Sequence, residues 1–237
     1  MAEGKSREIR AVFFDLDGTL MDSEVLYVDA VRIALLRRGR LLAPEEALEL
    51  VYGRGWHEIY QEIQERWPGA YPDREEMENV VREIFQELEE QRDIAIPGSV
   101  ELLHRLAQEF PVAVVSGSPR ADVRRCLDQL GVLGDLQFFL GAEDYPAGKP
   151  DPSCYLKAAG ILGVLPETCL VFEDSTAGVA AAKGAGMLCV ALQRPNAPRQ
   201  DVALADLVLD DLGKFDLAAF LQRLSDRGSH ASPTAMG

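Results

Sequence analysis

Short apolar runs alternate with stretches of helical periodicity along most of this chain, but between residues 22 and 96 the apolar runs stop. Ile9–Phe14, Pro111–Ser116, Phe138–Gly141, Cys169–Phe172, Met187–Ala191 and Leu207–Leu209 are brief and bounded by Gly, Pro or Asp. Continuous apolar runs of this kind read as parallel strands buried on both faces. Between the later ones, Val100–Glu109, Ala121–Leu130, Pro152–Leu162 and Ser175–Gly184 carry apolar residues at helical spacing. A strand–helix–strand series predicts an α/β fold with a doubly wound, Rossmann-like parallel sheet. Phe215–Leu224 reads as a closing helix, and the small polar residues 225–237 as a disordered tail.

The interruption is all helical in pattern. Helices are expected at Glu24–Arg38, Pro44–Val51, Trp56–Arg66 and Arg74–Gln91. The division of the chain is therefore an α/β core from 1–20 plus 98–224 and an all-α cap, 21–97, inserted after the first strand. Ligands of α/β sheets bind at the carboxyl ends of the strands, so an insertion at this point is placed to act as a lid.

Charge narrows the partners. With 24 Lys+Arg against 39 Asp+Glu the net charge is −15. That balance argues against nucleic acid and against an anionic membrane surface. Only five of the 24 basic residues are lysines, so a lysine at a strand end carries information. Between Met21 and Pro97 stand 18 acids and 9 arginines, which concentrates nine of the fifteen excess negative charges in the cap. Cys126, Cys154, Cys169 and Cys189 show no CxxC spacing and read as buried thiols of a reduced intracellular protein. There is no apolar leader in Met1–Lys5 and no run of 18 apolar residues. The expectation is a cytoplasmic monomer with no nucleic-acid or membrane partner.

Four strand ends carry chemistry. Phe13-Phe14-Asp15-Leu16-Asp17-Gly18-Thr19-Leu20 runs an apolar strand into carboxylates two residues apart, which share a face. Carboxylates that close stay ionised only when a cation or hydrogen-bond donors compensate them. The strand ending at Val115 opens into Ser116-Gly117-Ser118-Pro119, with Ser116 beside free backbone N–H groups and Ser118 placed to cap the next helix. Lys149 precedes a helix in Gly148-Lys149-Pro150-Asp151-Pro152, where Asp151 is the expected N-cap and the ammonium suits a phosphate. Glu173 and Asp174 end another apolar strand, and with Asp15 they offer the hard oxygen donors that Mg²⁺ prefers.

The order of DLDGTL, Ser116, Lys149-Pro150 and VFEDSTAGVAAAKGAG resembles the four motifs of the haloacid dehalogenase-type phosphatases, from about Ile9 to Asp211. The insertion after Leu20 is similar to the helical-cap branch containing β-phosphoglucomutase and small sugar-phosphate phosphatases. The resemblance implies a Mg²⁺-dependent phosphatase of a small phosphorylated sugar or sugar acid. In it Asp15 is the nucleophile that forms an aspartyl phosphate, and Asp17 the general acid and base. Ser116, Lys149 and the backbone near Gly117 and Ser118 would hold the phosphate. Asp15, the Asp17 carbonyl and Asp174 would hold the metal, with Glu173 a ligand or just behind one. Thr19 would orient Asp17, and Arg54 of the cap loop Val51–Gly55 would bind a second anionic group. Mutases of the branch are expected to carry a histidine on the first cap helix, where this chain has Tyr27. A hexose-phosphate mutase is thus the alternative enzyme. A receiver-like phosphoacceptor module is the non-enzymatic alternative, and the length and the insertion argue against it.

Overall fold

The structure is a computed structural model that describes residues 8–51, 54–89, 91–195, 197 and 199–229. Six strands, β1 (Ala11–Phe14), β2 (Val112–Val115), β3 (Leu136–Leu140), β4 (Cys169–Glu173), β5 (Leu188–Leu192) and β6 (Leu207–Leu209), form one sheet in the order β3-β2-β1-β4-β5-β6. Every pairing is parallel. The described residues divide into two compact units. One runs through Leu20 and resumes at Ile96, and the other is Met21–Ala95.

The Met21–Ala95 unit consists of α1 (Ser23–Arg37), α2 (Pro44–Val51), α3 (Trp56–Arg66) and α4 (Arg74–Glu89). Each buries a stripe at helical spacing: Met77, Val81 and Ile84 on α4 and Ile59 and Ile63 on α3 are nearly inaccessible. Tyr27 of α1 stacks on Phe85 of α4 with centroids 4.2 Å apart and meets Trp56 edge-on at 5.4 Å.

In the sheet unit the helices are α5 (Pro97–Ala107), α6 (Arg120–Gln129), α7 (Ser153–Leu162), α8 (Thr176–Gly184) and α9 (Leu217–Ser229). Strands β1, β2, β4 and β5 are buried at every residue, which is why they appear in the sequence as unbroken apolar runs. Alternate residues build two cores. Phe13, Val115, Cys169, Val171 and Cys189 pack with Cys154, Tyr155, Ala158, Val179 and Ala182 of α7 and α8. On the other parity Phe14 stacks on Phe172 at 4.7 Å, and Phe172 meets Phe215 at 5.0 Å.

Several expected boundaries move by a few residues, α5 for instance spanning Pro97–Ala107 rather than Val100–Glu109. β3 begins at Leu136 rather than Phe138, because this edge strand carries the exposed Gln137 and breaks the apolar run. The last helix continues to Ser229, five residues beyond Leu224, so 225–229 is helical and not tail; residues 230–237 lie outside the described residues. All four cysteines are free and buried. No helix among the described residues is long and apolar enough to cross a membrane.

Candidate active site

The strand order runs outward in opposite directions from the β1–β4 pair, which makes the carboxyl end of that pair the switch point where α/β sheets bind ligands. Asp15 follows β1 directly, and its N–H is held by the Phe172 carbonyl at 2.9 Å. Ser116 follows β2, with its N–H on the Leu140 carbonyl at 3.0 Å. Glu173 is the last residue of β4 and Asp174 the next. Lys149 enters from the loop before α7, and its bond to Pro150 is cis. The sheet thus brings Asp15, Asp17, Ser116, Gly117, Ser118, Lys149, Glu173 and Asp174 to one edge.

Lys149 is the electrostatic centre. Its Nζ donates to Asp15 Oδ1 at 2.5 Å, Glu173 Oε1 at 2.6 Å and the Val115 carbonyl at 3.1 Å, which uses all three ammonium protons. Burial alone would lower its pKa, but Asp15 and Glu173 outweigh that and hold it well above the usual lysine value. Asp15 moves the opposite way from an ordinary ion-paired carboxylate. Burial pushes it up to about 8, Lys149 only partly opposes this, and Glu173 and Asp17 add to it.

Glu173 is fully buried. Its Oε1 accepts from Lys149 and from the Tyr155 hydroxyl at 2.9 Å. Its Oε2 accepts from the Asp174 N–H, the Ser175 N–H and the Ser175 hydroxyl at 3.0, 3.2 and 3.0 Å. Ser175 is also the N-cap of α8, accepting from the Gly178 N–H at 3.0 Å.

Asp17 is held by hydroxyls. Its Oδ2 accepts from Ser118 Oγ at 2.7 Å and Ser116 Oγ at 3.2 Å, and Ser116 Oγ accepts from the Ser118 N–H at 3.0 Å. This corrects three local expectations. Ser118 does not cap the next helix, whose N-cap is Pro119 with no side-chain bond, because its hydroxyl is taken by Asp17. Thr19 does not orient Asp17, since its hydroxyl donates to Asp174 Oδ1 at 3.3 Å. Asp151 is one residue short of the N-cap position of α7, held by Pro152, although its carboxylate still accepts the Ser153 N–H at 2.9 Å. Gly117 lies between the two serines with open space where a side chain would stand.

The acidic residues suit a hard divalent cation. Asp15, Glu173 and Asp174 can each present a carboxylate oxygen such that all three lie within 4.8 Å of one another. Asp15 and Glu173 share the one ammonium of Lys149, and burial first, then the neighbouring Glu173 and Asp17 carboxylates, keep the Asp15 carboxyl raised. Gly18, at φ +85°, makes room for this packing, because a Cβ there would fall 2.1 Å from Asp174 Oδ2.

Arg54 belongs to the Met21–Ala95 unit, where its guanidinium pairs with Glu62, which also binds Arg66. Arg54 holds the Glu62 carboxyl below its usual pKa. Tyr52 and Gly53 of the same loop lie outside the described residues. Two site residues escaped the sequence reading, Tyr155 behind Glu173 and Tyr145, whose hydroxyl donates to the Ser116 carbonyl at 2.7 Å. Their signal in the sequence is a tyrosine in an otherwise apolar or tight segment close to Lys149.

The haloacid dehalogenase-like hydrolase family model matches residues 9–186, which contain all four strand-end motifs. The chain belongs to the haloacid dehalogenase-like hydrolases. It is 34% identical over 204 residues to validoxylamine A 7'-phosphate phosphatase of Streptomyces hygroscopicus subsp. limoneus, covering 86% of this chain and 94% of that one. It is 33% identical over 205 residues to hexitol phosphatase A of Escherichia coli K12, covering 86% and 91%. Among solved structures, CbbY from Rhodobacter sphaeroides in complex with phosphate superposes with a TM-score of 0.73 at 26% identity, over 90% of this chain and 99% of that one. Within the family the chain is a phosphatase-type enzyme of the sugar phosphatase and mutase group.

Proposed function

We propose that this hydrolase is a Mg²⁺-dependent phosphatase of small phosphorylated sugars or sugar acids that works through an aspartyl phosphate on Asp15. The observation that carries the reading is the pair of carboxylates ending β1. Asp15 rests on the buried Lys149 ammonium, while Asp17, two residues on, is gripped by Ser116 and Ser118. One carboxylate is set beside positive charge as a nucleophile, and the other sits among hydroxyls where it can exchange a proton.

In the first step an Asp15 carboxylate oxygen attacks phosphorus in line, the ester P–O bond breaks, and the protonated Asp17 carboxyl delivers its proton to the leaving alkoxide. In the second, Asp17 takes a proton from a water molecule as that water attacks phosphorus. The bond to Asp15 breaks, and inorganic phosphate leaves. Transfer of this kind needs mainly positioning and neutralisation of the phosphoryl oxygens. Lys149 supplies charge, and the backbone at Gly117 offers a donor. The Ser116 hydroxyl and the Ser118 N–H would join it by turning from Asp17 and Ser116 Oγ to the phosphoryl oxygens, and Tyr145 steadies the Ser116 peptide from behind. Mg²⁺, when bound, neutralises phosphoryl charge and would be held by Asp15, the Asp17 carbonyl and Asp174, with Glu173 beside them.

Asp17 favours ester hydrolysis over dehalogenation, because a halide leaves without a proton and an alkoxide does not. Hydrolysis is favoured over the mutase reaction by α1, which carries no histidine and whose Tyr27 ring is packed against Phe85 and Trp56.

The test is a phosphate-release screen over phosphosugars, hexitol phosphates and phosphoglycolate with Mg²⁺. Release from at least one of them, abolished by EDTA, restored by Mg²⁺ and reduced at least about a thousandfold in Asp15→Asn, is expected. Substantial turnover by Asp15→Asn would overturn the covalent mechanism.

A further inference from the structure

We propose that Tyr155 is a positioning residue of the phosphotransfer site: its hydroxyl pins the Glu173 oxygen on which the Lys149 ammonium rests, and so fixes where that ammonium stands beside Asp15. The inference builds on the catalytic reading above and assigns a residue that touches neither the substrate nor the reacting atoms.

A lysine ammonium is a compact charge on a flexible stem, so its position is set by its acceptors. Lys149 has three. Asp15 is consumed as the nucleophile during turnover, and the Val115 carbonyl is the longest of the contacts at 3.1 Å. Glu173 Oε1, at 2.6 Å, is the charged acceptor that persists through both chemical steps. Its own placement therefore matters. The three donors from Asp174 and Ser175 all fall on Oε2. A carboxylate held at one oxygen can still swing the other. Tyr155 supplies the missing fixed point, donating to Oε1 at 2.9 Å from a side chain with no solvent exposure.

Packing does not explain the hydroxyl. Tyr155 lies in the apolar cluster formed by α7, α8 and the strands, with its ring alongside Phe13 at 6.5 Å. A phenylalanine would fill that space equally. The Glu173 oxygen can only accept, so the phenol is the donor of this contact. The ring also lies 5.2 Å from Lys149 Nζ, within range of a cation–π contact. Tyr155 thus supports both members of the pair.

The experiment compares wild type, Tyr155→Phe, Glu173→Gln and the double variant, reading kcat, KM, and calorimetric binding of inorganic phosphate in Mg²⁺. Tyr155→Phe keeps every ring contact and removes one donor. It is expected to lower kcat about tenfold with KM within about twofold, and to weaken inorganic phosphate about tenfold. In the Glu173→Gln background the same change should alter phosphate affinity less than about twofold, because the carboxylate it acts through is gone. Ser175→Ala is a second probe that loosens the other oxygen, and it too should weaken phosphate. Wild-type kcat and phosphate affinity in Tyr155→Phe would overturn the inference, as would equal effects in both backgrounds or an unchanged phosphate affinity in Ser175→Ala. A wild-type protein that binds phosphate but hydrolyses no ester would instead sink the proposed function, leaving the phosphate measurements to judge Tyr155.

Discussion

Gly178 shows how tightly the Glu173 carboxylate is confined. A Cβ at this third position of α8 would lie 1.8 Å from Glu173 Oε1 and 2.1 Å from Oε2. Two effects oppose each other in Gly178→Ala. Alanine gains up to about 1 kcal/mol of helix propensity over glycine. Overpacking a buried site costs about 1–3 kcal/mol, and here the atom displaced is a charged oxygen holding Lys149. The clash wins, because neither β4 nor the first turn of α8 has room to retreat without losing the Ser175 cap. The expected result is a folded protein with kcat reduced at least about a hundredfold, seen by comparing phosphate release with the thermal midpoint. A variant as active as wild type would show that the carboxylate has freedom the geometry denies it. Gly18 is constrained differently, by its positive φ as well as by Asp174, so any side chain there is strained in addition to colliding.

At the scale of elements, the sequence showed which strands end in chemistry but not how their side chains divide the work. The buried strands were legible because burial on both faces leaves an uninterrupted apolar run, and β3 was cut short because Gln137 faces outward on an edge. The helices of the Met21–Ala95 unit were legible from periodicity, with α2 and α3 bounded as read. Hydroxyl partners were not legible. Ser118 and Thr19 had local roles available as a helix cap and an Asp17 contact, and the tertiary fold gives them Asp17 and Asp174 instead. The inward turn of Glu173 follows from strand parity, since Val171 and Cys169 share its face toward α7 and α8, yet nothing local identifies Tyr155 as its partner.

The proposed choice of hydrolysis over mutase chemistry rests on the same scale. The Tyr27 ring packs in an aromatic cluster with Trp56 of α3 and Phe85 of α4. Tyr27→His should therefore destabilise that cluster by about 1–2 kcal/mol and create no mutase. With β-glucose 1-phosphate and a bisphosphate primer, wild type and variant should both release phosphate at least as fast as they form glucose 6-phosphate. Glucose 6-phosphate outpacing phosphate in wild type would reverse the assignment.

For the whole molecule, net charge and local charge pull on the substrate in different ways. The chain carries −15, with 18 acids against 9 arginines between Met21 and Pro97, and at the strand ends Lys149 is already paired with both Asp15 and Glu173. On the proposed reading a dianionic phosphate ester would be repelled at long range and captured by short contacts with Lys149, donor groups and Mg²⁺. Repulsion between exposed charges is screened over about 30 Å at 0.01 M salt but only about 8 Å at 0.15 M. Raising NaCl across that interval at constant free Mg²⁺ should therefore increase kcat/KM about twofold and leave kcat unchanged, because approach is affected and the buried Lys149–Asp15 contact is not. Glucosamine 6-phosphate, whose ammonium offsets part of the phosphate charge, should show a smaller rise than glucose 6-phosphate if both are hydrolysed. A fall in kcat/KM with salt would mean that the field met by the arriving substrate attracts anions in spite of the net charge of −15.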